Sequence, residues 1–174
     1  MTARHLLAIL ILPFVVVVVV PTWIVGSRAP AAGGRAGVLL EPVATVAGVL
    51  LFVTGFALFA WCVVLFARIG EGTLAPWDPT RRLVAVGPYA YVRNPMISGV
   101  AAMLTGEALL FRSLALAGWA AAFIAVNHAY FLLAEEPGLE RRFGAAYAEY
   151  KQRVPRWLPR WPRPEDRAGR TPRR

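Results

Sequence analysis

Four long runs of this chain carry almost no charge. Leu6 to Val25, Val43 to Phe66 and Leu114 to Ala134 contain no Asp, Glu, Lys or Arg, and Met96 to Leu110 contains only Glu107. About twenty apolar residues wound as a helix cross the roughly 30 Å of hydrocarbon in a bilayer. There each backbone N–H and C=O must find its partner within the protein. The expected fold is an all-α membrane protein. It has four transmembrane helices, spans three and four forming a tight helical hairpin, and then a C-terminal amphipathic helix.

Composition agrees. Of 174 residues, 57% are hydrophobic and 17% charged, against about 25% charged in a typical soluble domain. The length suits a single compact unit. Cys62, the one cysteine, lies inside an apolar run and has no internal partner for a disulfide. With two histidines besides, the chain offers few metal ligands, and no metal site is expected. The net charge is +9, and eleven of the 19 basic residues lie at or after Arg141. No nucleic-acid recognition motif accompanies them, so no nucleic-acid partner is expected. Their placement instead follows the rule that Lys and Arg gather on the cytoplasmic side, where anionic headgroups would hold the tail.

The first run contains Pro13 and Pro21, expected to kink or end its helix. It exceeds the 7–15 apolar residues of a signal peptide, with Arg4 before it and small residues near Ala31, so a retained helix is expected. Ser27 to Pro42 reads as a loop. The second run has Trp61 as an interfacial anchor, and Ala44, Thr45, Gly48 and Gly55 give small faces for close helix approach. Arg68 to Arg93, punctuated by Gly70, Gly72, Pro76, Pro79 and Pro88, is mostly loop. Pro137 should break the fourth helix near Glu135. Beyond it Leu139, Phe143, Tyr147, Tyr150 and Val154 recur along one face of an amphipathic helix. The tail beyond about Pro164 is expected to be disordered. Three regions result: residues 1–69, an N-terminal two-helix membrane region; 70–160, a catalytic region; and 161–174, a basic tail. Four spans place both termini, the second loop and the tail together, and their arginines mark that side as cytoplasm. The Arg- and Ala-rich composition points to a bacterial inner (cytoplasmic) membrane.

Polar side chains inside the spans are costly and usually functional. Glu107 is read as pairing with Arg112 or capping the hairpin. Asn127 and His128 are either interhelical hydrogen-bonding groups or part of a pocket. His128 and Glu135, seven residues apart, share a helical face.

The segment Gly87-Pro88-Tyr89, then Tyr91-Val92-Arg93-Asn94-Pro95 and Gly99, resembles the GPY…RHPxYxG motif of isoprenylcysteine carboxyl methyltransferases and their phospholipid-methyltransferase relatives. Glu135-Glu136, Leu139, Phe143-Gly144, Tyr147, Tyr150 and Val154-Pro155-Arg156 are similar to the family's EExxLxxxFGxxYxxYxxxVPR block. The likeness covers about residues 87 to 160, with Asn94 where the family has histidine and Ile97 where it has tyrosine. It implies an integral-membrane methyltransferase using S-adenosylmethionine, with a site opening to the cytosol and a lipid-like or hydrophobic acceptor entering from the bilayer. The implied catalytic residues are Arg93, Asn94, Glu135 and His128. The implied cofactor-binding residues are Tyr89, Tyr91, Arg93, Asn94, Pro95, Gly99, Glu135, Glu136, Tyr147, Tyr150 and Arg156.

The chemistry suits those residue types. Arginine binds a carboxylate through a planar fork, glutamates accept bonds from ribose hydroxyls, and tyrosine rings attract a sulfonium. A carboxylate acceptor needs no base; an amine or thiol does, and His128 is the one buried candidate. Two other functions fit less of the pattern. One is an NADPH-dependent membrane reductase of sterol-reductase type, whose phosphates Arg81, Arg82, Arg153 and Arg156 could hold. The other is a non-catalytic membrane protein that keeps the fold, suggested by Asn94 and Ile97.

Overall fold

The computed structural model describes residues 11–27, 40–69, 83 and 85–161, and all secondary structure among them is helical. Helix α1 is Ile11–Gly26, α2 is Leu40–Ile69, α3 is Pro95–Leu110 and α4 is Leu114–Tyr130. A π turn, Phe131–Glu135, leads from α4 into α5, Glu136–Phe143, and α6 is Ala145–Arg153. A 3-10 turn, Gly87–Ala90, precedes α3. Two stretches, Glu41–Leu65 and Leu114–Phe143, are long and apolar enough to cross a membrane, while Ile11–Gly26 and Pro95–Leu110 are shorter apolar helices. Leu50, Val53 and Phe56 on α2 and Leu114 and Val126 on α4 face outward, as lipid-facing side chains do.

The closest packing joins α2 and α3, which run antiparallel through two glycine pairs. A methyl built on Gly99 would come 2.7 Å from the Gly55 carbonyl oxygen, and one on Gly106 would come 2.7 Å from that of Gly48. Both pairs are seven residues, two helical turns, apart. Without side chains there, the backbones meet directly, and dispersion replaces the hydrophobic drive that lipid cannot supply. Gly99 is therefore a helix-crossing residue. Of the small residues expected at this face, Gly48 and Gly55 make the contact, whereas the Thr45 hydroxyl donates to its own helix at Glu41 O. Val17, Phe59, Val100, Met103, Leu104 and Ala120 form the core where α1 to α4 meet.

Neither Pro21 nor Pro137 ends its helix, because each follows a π turn, Val15–Val19 or Phe131–Glu135. In these wider turns Val20 N–H bonds Val15 O, and Glu136 N–H bonds Phe131 O. The extra width relieves the clash of the proline ring with the preceding turn. Pro21 still withholds a donor from the turn before it. The Trp119 indole on α4 supplies one, donating to Val16 O at 3.1 Å.

Other expectations also change. Arg112, with φ 48°, closes the three-residue turn between α3 and α4 and lies 3.9 Å from Glu41, not against Glu107. Glu107 is buried, and its Oε2 has no hydrogen-bond partner among the described residues. Asn127 donates to Phe123 O within its own helix at 2.8 Å, so it is not an interhelical tie. The single amphipathic helix is two, divided at Gly144, whose φ of 52° and ψ of −128° suit a residue without Cβ. Even so, Tyr147, Tyr150 and Val154 cluster with Leu139 and Phe143 as the spacing predicts. Most of the second loop, the start of the first run and the tail beyond Trp161 lie outside the described residues.

Gly99→Ala should lower stability by about 1–3 kcal/mol, the usual cost of overpacking a tight contact. Gly118→Ala, at an exposed site with nothing within 4 Å, should be stabilising by about 0.5–1 kcal/mol. Thermal melts in detergent check both, and equal effects would remove the glycine contact from the account of the fold.

Candidate functional site

The chain enters α3 through a turn that places Arg93 at the helix mouth. Asn94 sits at the N-cap and Pro95 opens the first turn, where a missing N–H costs nothing. The Asn94 carbonyl accepts from the Ser98 backbone N–H and hydroxyl, each at 3.0 Å. The Asn94 side chain makes no capping bond. Pro95 is fully buried, so its part is to start the helix.

Arg93 points at the other motif. Its Nη1 donates to Glu136 Oε1 at 2.9 Å, with side-chain exposures of 10% and 7%. The same oxygen accepts from Arg156 Nε at 2.7 Å, and Lys151 Nζ lies 3.2 Å from Oε2. Lys151 also donates to Glu140 at 2.7 Å. Its ammonium is held above its ordinary pKa by Glu140 and then Glu136, and Arg156 is raised likewise by Glu136. The Tyr147 hydroxyl is within hydrogen-bonding reach of Arg93. Arg93 Nε, in contrast, is buried without a hydrogen-bond partner among the described residues. Such a group calls for an explanation, a ligand among them.

The structure thus brings Arg93, Glu136, Tyr147 and Arg156 together, but gives the ion pair to Glu136 rather than Glu135. The π turn accounts for this. An extra residue per turn rotates everything downstream by one position, about 100° around the axis. Glu136 therefore faces where Glu135 would on an uninterrupted α-helix, and the shared face expected for His128 and Glu135 is lost. Glu135, half-buried, is close enough to influence the phenols of Tyr89 and Tyr147.

Two tyrosines serve the frame. Tyr89 is buried among Leu58, Leu65, Val86 and Met96, with its hydroxyl on Cys62, and burial pushes its phenol well up. Tyr150 donates its hydroxyl to Tyr89 O at 2.7 Å, tying α6 to the turn before α3. Tyr91 is half-buried, edge-on to Trp161 with centroids 5.4 Å apart. His128 is half-buried rather than buried. Its Nδ1 accepts from the Trp157 indole at 3.0 Å. Sequence reasoning missed Trp157 and Lys151. The spacing of Lys151 from Glu136, about four turns of helix, gives no hint of contact until Gly144 folds α6 back.

A family profile described as phospholipid methyltransferase matches residues 43–146. The chain belongs to that family. The match includes Arg93, Asn94 and the Glu135-Glu136 pair, and stops short of Arg156. No curated protein and no solved structure matches the chain.

Glu136→Ala should destabilise the protein by about 3 kcal/mol or more, because it leaves buried cations uncompensated. Arg93→Ala should cost less, since Arg156 and Lys151 still face Glu136. Glu135→Ala, which breaks no ion pair, should cost least. Denaturation of the three variants in detergent tests the order, and a larger loss from Glu135→Ala than from Glu136→Ala would contradict the assignment.

Proposed function

We propose that the protein is an integral-membrane, S-adenosylmethionine-dependent methyltransferase acting on a lipid-like or hydrophobic acceptor at the cytosolic face of a bacterial inner membrane. The observation that carries this reading is the convergence of Arg93 and Glu136, one from each motif, with Arg93 Nε left over. Three cations, Arg93, Arg156 and Lys151, surround one Glu136 carboxylate. The excess positive charge and the spare donor suit the carboxylate of an amino-acid-like ligand. Glu135 would take its hydroxyl or amino donors, and the Asn94 amide and Tyr91 ring would lie at the edge. When bound, S-adenosylmethionine supplies a methyl group on a sulfonium, open to in-line attack. The residues then orient the reactants and exclude water, which can supply much of the acceleration.

On this reading α1 to α4 are four spans with α3 and α4 as the hairpin, and both termini lie in the cytoplasm. The acceptor reaches the site along the exposed apolar flank of the helices. Family membership favours the methyltransferase over the reductase and over a chain that only keeps the fold.

Thermal melts with and without S-adenosylmethionine test the site. At a concentration about 100 times Kd, the cofactor should add about 2.7 kcal/mol of stability. Arg93→Ala and Arg93→Lys should lose most of that gain whatever they do to the unliganded protein, since an ammonium lacks the planar fork. Asn94→His should keep affinity within about tenfold, or about 1.4 kcal/mol. Lipids from cells fed methyl-labelled methionine, with and without the protein, should differ by a labelled species. A shift with NADPH and none with S-adenosylmethionine would replace this function with the reductase.

A further inference from the structure

The segment after α6 folds back across the mouth of α3 as a strap. Arg93 N–H donates to Pro155 O at 2.9 Å, and Arg160 N–H donates to Tyr91 O at 3.0 Å. Between these two bonds Trp157 turns to α4. Its ring lies 5.7 Å from that of Phe131, and its indole N–H donates to His128 Nδ1. Arg156, the neighbour of Trp157, is the strap residue that bonds Glu136.

An indole nitrogen can only donate, so His128 Nδ1 must present its lone pair, and the ring proton of the neutral imidazole then sits on Nε2. A histidine in this state has no free basic nitrogen: one lone pair is engaged and the other nitrogen already holds a proton. We propose that His128 is a positioning residue, the accepting half of a latch with Trp157 that holds the strap, and Arg156 with it, against Glu136, and that it is not the general base of methyl transfer. The effect on catalysis rests on the methyltransferase reading; the latch itself does not. The acceptor is then one that needs no proton removed by His128.

Three variants of the full chain separate the roles. His128→Gln keeps an oxygen able to accept from the indole but cannot serve as a base. His128→Phe removes the acceptor, and Trp157→Phe removes the donor while keeping a ring beside Phe131. Hydrogen exchange in detergent reads the strap at the Arg160 amide. His128→Phe and Trp157→Phe should speed its exchange about five- to tenfold, the effect of losing one hydrogen bond, while His128→Gln should stay near wild type. S-adenosylmethionine affinity should follow the same order, with glutamine restoring what phenylalanine loses. An unchanged exchange rate in Trp157→Phe, or glutamine behaving like phenylalanine, overturns the latch. Faster exchange with unaltered cofactor affinity overturns its positioning role. Methyl transfer that survives Trp157→Phe but falls about 100-fold or more in His128→Gln would make His128 a base. If wild type binds no S-adenosylmethionine, the functional reading fails while the exchange data still decide the latch.

Discussion

The carboxylate of Glu136 joins parts of the chain that apolar packing alone would not align. Arg93 comes from the turn before α3, Lys151 from α6 and Arg156 from the strap. Each of these segments is short, and although Tyr147, Tyr150 and Val154 pack against Leu139 and Phe143, it is Glu136 that fixes where their charged side chains meet. Removing Glu136 would leave cations facing each other, and removing the cations would leave a buried charge without a partner. Buried ion pairs often contribute little net stability compared with apolar residues of the same size. Here Arg93, Arg156 and Lys151 share the Glu136 carboxylate, and the partly exposed Lys151 is paired with Glu140 as well.

The bundle's geometry is set by where backbone bonds can be completed in an apolar solvent. Proline removes a donor, and in lipid no water replaces it. The chain meets this twice with a π turn just before the proline. At Pro21 the solution also uses another helix: Trp119 supplies the hydrogen that Val16 O lacks. That bond joins α4 to α1 beside the packing of Val17 and Ala120. At Pro137 the π turn has a second consequence, because the rotation it introduces selects which of two adjacent glutamates meets Arg93. A backbone repair and the choice of a site residue are one event.

Much of this was legible in advance, and the failures have identifiable causes. The apolar runs located the helices within a few residues, because an unbroken run of that length has few alternatives. The five residues from Leu139 to Val154 were read as one cluster and form one, although Gly144 divides their helix. The spacing survives because both helices pack on the same partners. Arg93 was legible from its motif. Glu136 over Glu135 was not, since the choice depends on one hydrogen bond from Glu136 N–H to Phe131 O that no local pattern announces. Tyr89 and Gly99 also take structural places that the motif did not announce. A residue type suited to ligand contact is equally suited to a tight core, and only the position of α2 decides. The acceptor for Trp157 could not be foreseen, because His128 is 29 residues away and neither side chain has another signal.

The proposed site would have to work without an imidazole in the first motif, because Asn94 stands there. An N-cap asparagine usually turns its side chain onto the helix start, but here it makes no such bond, and Ser98 is bonded to the Asn94 carbonyl instead. The amide beside Arg93 is therefore not consumed by holding the helix. It can donate and accept, and its charge does not change across physiological pH. A transfer that required a proton to be removed at this position would fail with asparagine there. Displacement at a sulfonium methyl by an already anionic nucleophile requires no such step. It requires the nucleophile and the methyl in line and water kept out, which fixed hydrogen bonds from Arg93 and Asn94 can provide. With the His128 Nδ1 lone pair engaged by Trp157, the proposed chemistry relies on position and charge and not on an imidazole base.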